Sequence, residues 1–228
     1  MPILQFIKMH ALKNDFVVID AINSNLTLTR NQIKAICDRK TGIGCDQLLI
    51  IKSSKPELKT EFIYQIFNQD GTESGQCGNG ARCIIKYLAT QYNLDNQEIR
   101  LITLSGQING RQINPEKIIV DIGIPQFEPS KIPFKHISTS NMLYKIGPSN
   151  EQIIGGALSV GNPHFITILD DFTQLNNLAH LNHLVNLVLH SGLFPEGVNI
   201  NFGYIENRNK IVIRTFERGC GWTESCGS

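Results

Sequence analysis

The sequence predicts an α+β protein of two pseudo-symmetric halves. Each half is a mixed, mostly antiparallel sheet or barrel wrapped around a central helix, and the second half is incomplete. Three observations carry this reading. The chain repeats itself once at a near-constant offset, both copies open with β-branched runs, and a Cys-Gly pair leads into an apolar helical stripe in the first copy. The size agrees, since 228 residues with 41% hydrophobic and 18% charged side chains suffice for one large domain or two smaller ones with a buried core.

The elements follow in chain order. FVVID at 16–20 and QLLIIK at 47–52 read as strands, with a helix expected over 30–39 between them. Cys77-Gly78-Asn79-Gly80 then opens a helix in which Ala81, Ile84, Ile85, Leu88, Ala89 and Tyr92 fall at i, i+3, i+4, i+7, i+8 and i+11, a buried stripe. Strands LITLSG and IIVDIG close the first half. Gly123, Pro125, Pro129 and Pro133 interrupt the pattern, so the halves are expected at 1–122 and 123–228. The second half offers strands FITIL and KIVIRTF, with a helix expected over 175–189.

The repeat rests on three matches in one order. The Phe, Cys and Gly of Phe67 through Asn79 coincide with those of Phe216 through Ser228 at an offset of 149. Asn14 through Asp20 aligns with Asn162 through Asp170 at 148, and Gln47 lies near Asn199 at 152. After Cys77 the first half continues for about 48 residues, whereas only Gly227 and Ser228 follow Cys226. The repeat therefore predicts a second half without its central helix and closing strands.

Composition narrows the function. The net charge of +1 gives no strong field toward nucleic acid or an anionic membrane. No apolar run reaches the roughly 18 residues of a membrane span and no signal-peptide pattern begins the chain, so a cytoplasmic location is expected. The six cysteines contain no Cys-x-x-Cys and read as free thiols rather than disulfides or a metal knuckle. Cys37, Cys45, Cys83 and Cys220 are expected as small core fillers, and His180, His183 and His190 as a solvated helix face rather than a metal site.

Cys77 and Cys226 differ from the others because each precedes Gly in the repeated motif. A thiol at a helix start meets unpaired N–H groups and a favourable dipole, which lower its pKa from ~8.5 toward neutrality. Two such thiols on opposite sides of one carbon would remove a proton from one face and return one to the other, inverting a stereocentre. Taken alone, Asn14, Asn68, Asn162 and Asn199 read equally as turn formers, and His164 as a satisfied histidine at a strand start.

MHALKNDFVVID, RKTGIGCDQLLI, IFNQDGTESGQCGNGARC, VGNPHF, FPEGVNINF and ERGCGWTESCGS together resemble, in order, the motifs of the diaminopimelate epimerases over nearly the whole chain. The resemblance implies the diaminopimelate epimerase-like fold and the interconversion of LL- and meso-diaminopimelate for lysine and peptidoglycan synthesis. It implies a small-molecule substrate and no pyridoxal phosphate, metal or other cofactor. Carried over by position, Cys77 and Cys226 are the acid–base pair. Gly78, Asn79, Gly227 and Ser228 hold the reacting carboxylate, and Asn14, Gln47, Asn68, Asn162 and Asn199 line the cleft. Arg218 grips the distal carboxylate, Glu217 accepts from a substrate ammonium, and Glu217 with His164 adjusts the thiols. A homodimer is left open.

The chain departs from the family pattern at Lys13, usually Gly, at Trp222, usually acidic, and after Cys226, where members continue with a glycine- and alanine-rich helix. Lys13 is expected to crowd its loop or strain the backbone, and Trp222 to alter access to the second thiol. Other readings stay open on the sequence alone. They are an inactive truncated remnant, a related two-cysteine racemase for another amino acid, and a redox or metal-binding cysteine protein.

Overall fold

The runs FVVI at 16–19 and LLII at 48–51, apolar at every position, belong in strands covered on both faces. The computed structural model, which describes residues 4–55, 57–136, 142–224 and 226–227, places them so. The chain divides into a first unit that runs to Gly123 and takes in Gly227, and a second unit, Ile124–Cys226.

The first unit contains β1 (Ile7–Ala11), β2 (Asn14–Asp20), α1 (Arg30–Cys37), β3 (Gln47–Ser53), β4 (Glu61–Asn68), β5 (Glu73–Ser74), α2 (Gly78–Gln91), β6 (Ile99–Thr103), β7 (Gly106–Asn114) and β8 (Lys117–Asp121). The strand order is β1-β2-β3-β4-β6-β7-β8, with β5 beside β4. β2 with β3 and β4 with β6 are parallel, and the other pairs are antiparallel. Parallel neighbours need long crossovers, and α1 and α2 supply them. The two helices cover opposite faces. Val17, Ile19, Leu48 and Ile50 pack with Ile33 and Cys37 of α1, while Phe16, Val18, Leu49 and Ile51 pack with Ala81, Ile84, Ile85 and Leu88 of α2. The first helix stops at Cys37, two residues before the expected end, because the Asp38 carboxylate turns the chain by accepting from the amides of Lys40 and Thr41.

The second unit contains β9 (Leu143–Ile146), β10 (Ile153–Ser159), β11 (Pro163–Ile168), α3 (Phe172–Asn176), α4 (Leu178–Leu189), β12 (Asn199–Asn207), β13 (Lys210–Glu217) and β14 (Gly221–Thr223). Its order is β14-β13-β12-β11-β10-β9, and only β11 and β12 run parallel, joined through α3 and α4. The single helix expected over 175–189 is two, because the Asn177 side chain caps the start of α4 by accepting from the amide of His180. The succession β1-β2-α1-β3-β4-β5 thus recurs as β10-β11-α3-α4-β12-β13-β14. Leu175, Leu181, Val185 and Val188 cover one face, packing on Phe165, Ile200 and Phe202. On the other face Ile154, Ile168, Ile205, Ile211 and Ile213 are 47–57% exposed. The equivalent face of the first sheet carries α2, and among the described residues no helix lies on this one. Among the described residues no helix is long and apolar enough to cross a membrane.

Candidate active site

In the first unit, parallel pairing of β2 with β3 sets Phe16 opposite Gln47, and antiparallel pairing of β3 with β4 sets Gln47 opposite Asn68. Asn14, Gln47 and Asn68 therefore gather at one end of the sheet. There the Gln47 amide donates to Asn68 Oδ1 at 3.0 Å. The chain leaves β5 beside this end and enters α2, whose N-cap is Cys77: its Sγ accepts from the amide of Gly80 at 3.3 Å. Cys77 Sγ lies 3.9 Å from Asn14 Oδ1, and Asn79 Nδ2 lies 3.5 Å from the same oxygen. Gly78 and Asn79 are buried in the first turn of the helix. Gly227 groups with this unit; a Cβ on it would meet the Asn79 amide nitrogen at 2.5 Å. An anion would meet the first-turn amides of α2, a half-buried thiol and three carboxamides here.

The second unit builds a related cluster at the corresponding end of its sheet, where His164 stands opposite Asn199. Thr215 Oγ1 donates to Asn201 Oδ1 at 3.0 Å, which turns Asn201 Nδ2 toward His164 Nδ1 at 3.1 Å. That bond assigns the proton to Nε2, which donates to Asn162 Oδ1 at 3.0 Å. The Arg218 amide donates to Asn199 Oδ1 at 2.8 Å, so Asn199 Nδ2 also faces the imidazole, at 3.5 Å. Burial, aided by the Arg218 charge, pushes the imidazolium of His164 down to about 4, so the ring is neutral at pH 7. Arg218 Nη1 donates to the Glu196 carbonyl at 2.6 Å. Its stem lies against Gly197, where a Cβ would come within 2.7 Å of Arg218 Cδ, so this place admits only glycine, which also takes φ +77° there. Glu217 Oε1 accepts from Thr223 Oγ1 at 2.5 Å. Cys226, three residues beyond β14, is half-buried.

The structure thus brings Asn14, Gln47, Asn68, Cys77, Gly78, Asn79 and Gly227 together in one unit. Asn162, His164, Asn199 and Arg218 come together in the other, and Glu217 is tied to Thr223 there. Ser228 lies outside the described residues. Two expectations need correction. Trp222 is half-buried against the second core: its ring packs on Phe202 and Phe216, and its indole N–H donates to Asn182 of α4 at 2.8 Å. Cys220 is exposed rather than a core filler, whereas Cys37, Cys45 and Cys83 are buried. His183 and His190 are exposed and His180 is half-buried, with His183 paired to Glu151. Among the described residues no group of three or more His, Cys, Asp or Glu side chains is arranged to hold a metal. Sequence reasoning missed Asp46, Arg39, Asn201 and Thr215, which hold the site residues. Thr215 is the buried position of β13, and no alternation announces it, because Ile211 and Ile213 on the same face are exposed.

A profile of the diaminopimelate epimerases ("Diaminopimelate epimerase") matches residues 6–128 and 156–228. The chain belongs to the diaminopimelate epimerase family. It is an isomerase of the epimerase type. The diaminopimelate epimerase of Nitrosospira multiformis is 38% identical over 225 residues, covering 99% of this chain and 79% of that protein. Among solved structures, a hydroxyproline epimerase from Agrobacterium vitis superposes with a TM-score of 0.64 at 12% identity, covering 98% of this chain and 73% of that one. A phenazine biosynthesis protein of the PhzF family from Bacillus anthracis gives 0.60 at 16%, covering 99% and 75%. These two establish the shared α+β, two-sheet fold.

Proposed function

We propose that this epimerase interconverts LL- and meso-diaminopimelate, in lysine biosynthesis, through Cys77 and Cys226 acting as opposed acid and base. One observation carries the reading: Cys77 caps α2 with its sulfur on the Gly80 amide, beside the Asn14 amide oxygen. Helix-end N–H groups favour a thiolate, and a thiolate in reach of a bound α-carbon is a competent base.

In either direction one of the two cysteines, as thiolate, takes the α-proton from one face while the other, as thiol, delivers a proton to the opposite face; the reverse direction exchanges the roles. The developing carbanion is the costly species. The backbone amides of Gly78, Asn79 and Gly227, and by the family motif that of Ser228, would hold the reacting carboxylate and offset that charge as it forms. Arg218 pairs with the distal carboxylate, Glu217 accepts from an ammonium, and Asn14, Gln47, Asn68, Asn162 and Asn199 orient the remaining polar groups. His164, held neutral, supports Asn162 rather than serving as a cation near a thiol. The chain's own groups supply every proton transfer, so no pyridoxal phosphate is required, and the reaction belongs in the cytoplasm. The test is direct: the reduced enzyme, with no added cofactor, converts LL-diaminopimelate to the meso isomer. Failure with diaminopimelate alongside racemisation of another amino acid would reassign the substrate.

A further inference from the structure

We propose that Asp46 is a positioning residue for Cys77 and acts through the side-chain amide of Asn14. The proposal rests on the acid–base role of Cys77 given above. Asp46 Oδ2 accepts from Asn14 Nδ2 and from the Asp15 amide, both at 3.0 Å, and Oδ1 accepts from Arg39 Nη2 at 2.7 Å. All three neighbours are donors, so only a carboxylate satisfies them together. Asp46 is itself anchored. Its amide donates to the Asp15 carbonyl at 2.9 Å and to Asp15 Oδ1 at 3.0 Å, and the Arg39 fork spans both carboxylates. Lys8 closes the cluster on Asp15 at 2.7 Å.

A carboxamide has two unlike ends. With Asn14 Nδ2 committed to Asp46, Oδ1 must face Cys77 Sγ. An amide oxygen accepts from a thiol and repels a thiolate, whereas a flipped amide would donate to the thiolate. On its other side Cys77 meets the Gly80 N–H, which favours the thiolate. Asp46 thus keeps an acceptor beside the sulfur together with the donor that Gly80 supplies. A group that serves as acid in one direction and base in the other needs both protonation states within reach.

The test replaces Asp46 by Asn. One of the two atoms facing three donors then becomes a donor, Asn14 turns, and its Nδ2 comes to Cys77. We expect alkylation of Cys77 by iodoacetamide at neutral pH, followed at the Cys77 peptide by mass spectrometry, to accelerate by roughly threefold or more, the worth of one exchanged hydrogen bond. Removing a negative charge also favours a thiolate directly, so the same substitution is made in an Asn14→Ala background, where the acceleration must vanish. Unchanged alkylation in Asp46→Asn overturns the proposal, as does an equal acceleration without Asn14. If Asp46→Asn does not fold, Arg39→Lys, which keeps the charge but loses the fork, must accelerate alkylation in the same Asn14-dependent way; no effect overturns the proposal. Alkylation needs no turnover. Failure of Cys77 as an acid–base group is read separately, from α-proton exchange by Cys77→Ala.

Discussion

His164 shows how much one buried side chain decides. Folded, it resists protonation down to about 4; unfolded, it protonates near 6.5. Between these values the unfolded chain carries the extra proton, so stability is full above pH 6.5 and falls as pH drops toward 4, by about 3 kcal/mol in all. Urea unfolding between pH 7 and pH 4.5 should show this loss, and His164→Gln should flatten that part of the profile; an unchanged slope would refute the assignment. Asp15 acts in the same sense at lower pH. Burial works against its charge, but the hydrogen bonds from Arg39 and Lys8 more than reverse this and hold the carboxyl well below the usual range. Its contribution is present above pH 4 and is lost below it. Lys13 is a third single-residue effect. The two loop residues of the β1–β2 hairpin, Leu12 and Lys13, have φ of 52° and 68°, the left-handed pair that such a turn demands and that side chains resist. Lys13→Gly should raise stability by about 1 kcal/mol, read from the thermal midpoint; a decrease would mean that the Lys13 side chain contributes more than the backbone strain costs.

At the scale of elements, α2 is the part the sequence states most clearly. Its stripe of Ala81, Ile84, Ile85, Leu88 and Ala89 is buried as the spacing predicts. Its start is fixed by close packing as well as by the cap: a Cβ on Gly80 would lie 2.1 Å from Tyr64 Oη. Gly80→Ala should therefore displace the first turn, cost ~1–3 kcal/mol, and slow α-proton exchange with it. Destabilisation with full exchange would show that the position of the cap does not matter to the reaction. Other elements were harder to read. β7 hides because its inward positions are Ile108, Gly110 and Gln112, only one of them strongly apolar. α3 is five residues long and separated from α4 by a single cap, a division that no periodicity announces. The residues of the site were legible because motif and repeat mark them. The residues that hold them are not, because Asn201–His164 is a contact between strands and Asp46–Asn14 one between β2 and the residue just before β3, both set by register. Trp222 was misread for a related reason: its distance from Cys226 along the chain is short, but the alternation of β14 sends the ring to the α4 side.

For the whole molecule, the recurrence of β1-β2-α1-β3-β4-β5 as β10-β11-α3-α4-β12-β13-β14 accounts for the two related polar clusters, one in each unit. Each unit brings a cysteine and a carboxamide set, and among the described residues only Cys77 caps a helix. The second sheet leaves Ile154, Ile168, Ile205, Ile211 and Ile213 about half exposed where the first sheet carries that helix. The central claim is that both cysteines move protons on one carbon, and α-proton exchange tests it most directly. In deuterated water under reducing conditions, LL-diaminopimelate should yield meso product carrying solvent deuterium at the inverted carbon, and Cys77→Ala and Cys226→Ala should each abolish that inversion. Continued epimerisation by either variant, or meso product that retains the substrate proton throughout, would contradict the two-cysteine account.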